Sequence, residues 1–159
     1  MEVKKINKFE GEIAFLSFFW SGFFPYAPGT FASALTIPLL YFFGVFKAPF
    51  FFYIPILVIG TVLSCFITDY VQKKHELHDP SWIVIDEVLG MFTCWLFYLG
   101  NDPLWLFILF ALFRFFDIVK IWPASYFDKK VTHGSGTILD DIVSGIFAGL
   151  VFLLIKNFF

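Results

Sequence analysis

The residues of this chain with chemistry to offer are carboxylates set in apolar sequence. Asp86 and Glu87 open one apolar run, Arg114, Asp117 and Lys120 close the next, and Asp140 and Asp141 begin the last. A charge placed in hydrocarbon costs on the order of 2.5–3.5 kcal/mol on insertion scales, so such residues persist where they are paired, hydrated or used. Five acids stand against two bases, an excess of negative charge that a divalent cation would offset. Oxygen donors without clustered His or Cys favour a hard ion, Mg²⁺ or Mn²⁺, over zinc. Arg114, Asp117 and Lys120 follow one another at three-residue steps, so on one helix the two cations can hold phosphate oxygens and keep the carboxylate ionised. The plainer reading, capping by Asp140 and Asp141 and snorkelling by Lys120, gives no reason for acids of several helices to share one depth.

Two glycine-bearing segments suit an oxyanion. Pro28-Gly29-Thr30 opens an apolar run, and His133-Gly134-Ser135-Gly136-Thr137 leads into the last one. Glycine lets backbone amides approach an anion, and a helix N-terminus favours negative charge. Pro28, Gly29, Thr30, Gly134 and Gly136, with Arg114, Lys120 and His78 of a polar loop, are the expected contacts to a substrate anion.

The elements that must carry these residues are membrane helices. Of the 159 residues, 59% are hydrophobic and 26 are Phe, and the mean hydropathy is +0.81, more apolar surface than a soluble domain of this size can bury. Apolar runs at 31–46, 50–67, 82–99, 104–119 and 138–155 predict about five transmembrane helices in an all-α fold. The stretch 13–24 is too short to span and reads as an interfacial or re-entrant helix, retained because no cleavage pattern follows it. Residues 1–159 form one membrane-embedded domain, with no room for a separate soluble module. Cys65 and Cys94 lie in apolar runs and read as packing residues.

Short turns at 47–49 and 100–103 alternate with longer polar loops at 69–81 and 120–137, the pattern of antiparallel hairpins. Lys4, Lys5, Lys8, Lys73, Lys74, Lys129 and Lys130 then share the side of the acids, while Lys47 and Lys156 face away. By the positive-inside rule the acidic side is cytoplasmic.

Three blocks, SGFFPYAPGTFAS at 21–33, HDPSWIVIDEVLGM at 78–91 and FRFFDIVKIWPASYFDKKVTHGSGTILDDIVSGIFAG at 113–149, together resemble the phosphatidylglycerophosphatase A family. The likeness runs from about residue 17 onward. It implies a bacterial inner-membrane enzyme that removes the terminal phosphate of phosphatidylglycerophosphate to give phosphatidylglycerol. It also implies a Mg²⁺ requirement and a cytoplasm-facing site built on Asp86, Glu87, Asp117, Asp140 and Asp141, with Asp86, Glu87, Asp140 and Asp141 as candidate metal ligands. The partner is a phospholipid in the bilayer, and nucleic acid is not expected. The chain departs from the family pattern at Ile121, Ala124 and Ser125, at His133, where glycine is usual, and at Ala32.

Rival readings fit less of the sequence. A cation-coupled transporter would set its acids near the midplane, not at one end of the helices. A CDP-alcohol phosphotransferase would need an Asp-Gly-x-x-Ala-Arg segment, and a thiol phosphatase a cysteine-arginine loop, and neither is present.

Overall fold

The computed structural model describes residues 7–77, 80–131 and 134–158, with the side chains of 128 and 129 excepted. The described residues form helices joined by turns, without a strand: α1 (Gly11–Leu16), α2 (Pro28–Phe46), α3 (Phe50–His75), α4 (Ile85–Trp95), α5 (Pro103–Val119), α6 (Ala124–Lys130) and α7 (Gly134–Phe158), with a 3₁₀ turn at Ser21–Phe23. Local chemistry sets several boundaries. Pro28 and Pro103 occupy the first turns of α2 and α5, where a missing N–H costs nothing. Asp102 caps α5 by accepting from the amides of Leu104 and Trp105 at 2.9 and 3.3 Å. Lys73, Lys74 and His75 complement the negative end of α3.

Three helices, α2, α3 and α7, are long and apolar enough to cross a membrane. The run 82–99, expected to be a spanning helix, is α-helical only over Ile85–Trp95, about 16 Å of rise against a hydrocarbon core of about 30 Å. Its last turn tightens, with Phe97 N–H donating to Cys94 O at 3.2 Å and Tyr98 N–H to Trp95 O at 2.8 Å. The physical reason for the difference is enclosure. Every residue of α4 except Glu87 is buried, and α2, α3, α5 and α7 all pack against it. Hydropathy cannot separate a helix that is apolar because it faces lipid from one that is apolar because other helices surround it.

Two expected loops are also largely helical. α3 continues to His75, so Asp69 lies in its C-terminal turns, and the segment 120–137 contains α6 and the first turn of α7. Gly134 and Gly136 therefore belong to α7 itself. The N-terminal stretch 13–24 divides into α1 and the 3₁₀ turn, separated by Phe18, Phe19 and Trp20 at φ of 43°, 53° and 67°. Ile13 and Leu16 are buried in a cluster with Val71 and residues 82–85. Val84 N–H donates to Leu16 O at 2.9 Å, and Phe23 stacks on Trp82 at 5.6 Å. The N-terminal segment thus braces the turn from which α4 starts.

Glycines bring the central helices into backbone contact. A Cβ on Gly145 would lie 2.4 Å from Gly90 O, and one on Gly90 would lie 2.9 Å from Asp141 O. α4 and α7 approach closely beside the acids because neither carries a side chain there. At the other end of the bundle a Cβ on Gly44 would lie 2.5 Å from Gly100 O, so α2 and the α4 segment run side by side along its length.

Candidate active site

The start of α4, the C-terminal turn of α5 and the second and third turns of α7 converge on one end of the bundle. Asp86 and Glu87 come from α4, Arg114 and Asp117 from α5, Lys120 from the residue that ends α5, and Asp140 and Asp141 from α7. Asp140 and Asp141 are each 3% exposed, Asp86 7% and Asp117 9%, so the four carboxylates have given up most of their water. Buried charge of this kind must be compensated.

Compensation divides the acids into two sets. Arg114 Nη1 lies 2.6 Å from Asp117 Oδ2, one helical turn away, and Lys120 Nζ lies 2.6 Å from Asp140 Oδ2. Asp86, Glu87 and Asp141 form no ion pair among the described residues. Each offers one carboxylate oxygen to a group whose members all lie within 4.8 Å of one another. Glu87 Oε2 is buried without a hydrogen-bond partner. Three convergent carboxylate oxygens with no soft donor among them have the chemistry of a hard divalent-cation site.

The first turn of α2 closes the site beside Glu87. A Cβ on Gly29 would sit 1.8 Å from Glu87 Oε1, so glycine at 29 makes room for that carboxylate. Ser33, one turn on, donates to Gly29 O at 2.8 Å and accepts from Arg114 Nη1 at 3.4 Å. The guanidinium is therefore held by α2 as well as by Asp117, while its Nε stays buried and unpartnered. The amides of Gly29 and Thr30 precede the first intrahelical bond of α2, which Phe31 N–H makes to Ala27 O at 3.0 Å, and are of the kind that binds an anion.

Sequence reading and geometry differ at the second glycine segment. Gly134 N–H donates to Asp69 Oδ1 at 2.5 Å, and a Cβ on Gly136 would lie 2.1 Å from Val131 O. A carboxylate already takes the first amide, and close packing of the α6–α7 turn accounts for the second glycine. His78, like His133, lies outside the described residues. The geometry adds three residues that the sequence reading does not single out: Ser33, Asp69 and Ser144. Ser144 is 1% exposed, its hydroxyl lacks a partner, and it stands four residues after Asp140, on the same face of α7. Spacing alone signals Ser33 and Ser144, each one turn from a site residue, and Asp69 is the lone acid in its stretch of α3.

Comparison with known proteins gives this geometry a context. The family model described as phosphatidylglycerophosphatase A matches residues 14–156. The chain is 33% identical over 137 residues to the phosphatidylglycerophosphatase A of Escherichia coli K12, covering 86% of this chain and 78% of that protein. It is 34% identical over 146 residues to the Haemophilus influenzae protein of the same name, covering 87% and 84%. A Bacteroides thetaiotaomicron protein, named provisionally as a phosphatidylinositol-3-phosphatase, is 34% identical over 135 residues, covering 82% and 84%. No solved structure matches. With nearly the whole chain matched, and the acids of α4, α5 and α7 inside the matched region, the chain belongs to the phosphatidylglycerophosphatase A family.

Proposed function

We propose that this protein hydrolyses the terminal phosphate monoester of phosphatidylglycerophosphate, releasing phosphatidylglycerol and inorganic phosphate, with Mg²⁺ held in its acidic site. The observation that carries the reading is the convergence of Asp86, Glu87 and Asp141 in a member of this family. Those three carboxylates would hold the ion, and Asp140, tied to Lys120 at 2.6 Å, would stand beside it as a further candidate ligand. A bound divalent ion would neutralise phosphoryl oxygens and polarise the phosphorus toward attack.

The chain's own residues supply the rest. Arg114 and Lys120 are the phosphate clamps, each held in place by an acid, so little side-chain freedom is lost when substrate arrives. The amides of Gly29 and Thr30 add neutral donors to the same oxyanion. With Glu87 committed to the cation, Asp117 remains to take the proton from the attacking water. One of its oxygens is held by Arg114 at 2.6 Å, which fixes the carboxylate in place. Water oxygen bonds to phosphorus, the bond from phosphorus to the glycerol oxygen breaks, and the proton held by Asp117 is returned to that leaving oxygen. An aspartyl-phosphate route uses the same acids and is the alternative that oxygen-isotope labelling would separate.

The placement in the cell follows the same reading. In a bacterial cytoplasmic membrane, α2, α3, α5 and α7 would cross the bilayer, and residues 85–99 would make a fifth pass enclosed by them. Exposed Phe9, Phe19, Trp20 and Tyr26 around the N-terminal segment suit the interface. The lysine distribution supports a site facing the cytoplasm.

The test is phosphate release from phosphatidylglycerophosphate by detergent-purified protein with Mg²⁺, with EDTA, and with Asp141→Ala. The expected result is release that needs both the metal and Asp141. Release that persists in EDTA or in the variant would overturn the site, and folded protein that releases nothing with any divalent ion would overturn the activity.

A further inference from the structure

We infer that Asp69, an acid outside the site, is a positioning residue for the two acids of α7. The inference rests on the proposed function only in naming what is positioned. The first amides of a helix have no partner within it, and at α7 the carboxylate that satisfies Gly134 N–H, at 2.5 Å, comes from a different helix, α3. A negative group at that end also complements the positive end of the helix dipole. Steric contact fixes the same register. A Cβ on Gly134 would lie 2.5 Å from Thr68 Cγ2 and 2.9 Å from Asp69 N, so the start of α7 is seated directly on the backbone of α3.

The first turn of α7 matters to the site through the hydrogen-bond ladder. In an α-helix each N–H bonds the carbonyl four residues back, so the backbone of Asp140 hangs on Gly136 and that of Asp141 on Thr137. If the turn frays as far as Thr137, both acids lose their anchorage, and Asp141 moves relative to Asp86 and Glu87. Asp69 thus sets from α3 the spacing between carboxylates contributed by α4 and α7.

The experiment uses the full chain in detergent micelles, as wild type, Asp69→Ala and Asp69→Asn, with three readouts. Amide hydrogen exchange across 134–141 is followed in EDTA, Mn²⁺ affinity is measured at equilibrium by electron paramagnetic resonance, and phosphate release is assayed from phosphatidylglycerophosphate. Asp69→Ala is expected to speed exchange at 134–137 about fivefold, as loss of a cap does, and to weaken Mn²⁺ binding and turnover about tenfold, as loss of a residue that orients metal ligands does. Asp69→Asn keeps an acceptor oxygen and is expected to restore all three. Faster exchange in Asp69→Ala with wild-type Mn²⁺ affinity would reduce Asp69 to a structural cap and overturn the inference, as would unchanged exchange. A wild type that binds Mn²⁺ but leaves the lipid intact would overturn the proposed reaction, while weaker Mn²⁺ binding in Asp69→Ala would still uphold the positioning role.

Discussion

The two ends of the α4 segment, both enclosed by other helices, meet opposite demands. Toward residue 100, Tyr53, Phe92 and Trp95 pack with ring centroids 5.0–6.3 Å apart, and the polar atoms among them are satisfied. Tyr53 Oη donates to Phe43 O at 2.9 Å, and Trp95 Nε1 donates to Gly100 O at 2.9 Å. At the start of α4, Glu87 Oε2 and, on neighbouring helices, Arg114 Nε and Ser144 Oγ are buried without partners. The polar groups at the first end are saturated, whereas beside the acids several polar atoms have no partner among the described residues. Stability and activity should therefore be separable along a single helix.

The sharpest break of that contrast is Asp141→Asn. Turnover should fall by a factor on the order of 10²–10³, while the unfolding midpoint in detergent stays the same or rises, because one of three crowded like charges is gone. A parallel loss of stability would mean that the acids also serve as structural elements. The converse change, Trp95→Ala, should cost about 3–5 kcal/mol in denaturant unfolding yet leave turnover per folded molecule near wild type.

Gly29→Ala tests the seam between α2 and α4. The new methyl would fall on the Glu87 carboxylate, so turnover should drop about tenfold or more, with destabilisation of about 1–3 kcal/mol. Tyr53→Phe should cost about 1 kcal/mol with no kinetic effect. The smallest effect belongs to the Glu10–Lys74 pair, 2.7 Å apart at the surface. Its hydrogen bond to Lys74 holds the Glu10 carboxyl below the usual carboxylate range. Its contribution should be complete above the unfolded value and fade as pH falls through the lower folded one. The difference in unfolding midpoint between wild type and Glu10→Gln, small at pH 7, should vanish in acid.

How much was legible in the sequence follows the same division. The helical class and the acids that meet at one end can be read from hydropathy and from charges that have no business in lipid, since both are properties of residue type. The enclosure of α4 could not, because Val88, Leu89 and Met91 look the same facing lipid or facing helices. The partition of the acids was legible only in part: the pairing of Asp117 with Arg114 follows from their three-residue spacing on α5, whereas that of Asp140 with Lys120 is fixed by how α5 and α7 meet. The glycines show the limit most clearly. Gly29 and Gly134 look alike as openers of apolar helices, yet one makes room for a site carboxylate and the other seats α7 on α3.

The acids of α7 have a consequence for how the molecule is made. The ribosome synthesises α7 after α1 to α6, so a nascent chain already holds Asp86 and Glu87 in α4 before the third carboxylate of their group exists. During that interval the growing protein lacks one of the three convergent carboxylates, and α4, too short to cross a bilayer by itself, has no α7 to lean on. The enclosure of α4 and the completion of this carboxylate group therefore both wait on the last helix to be made.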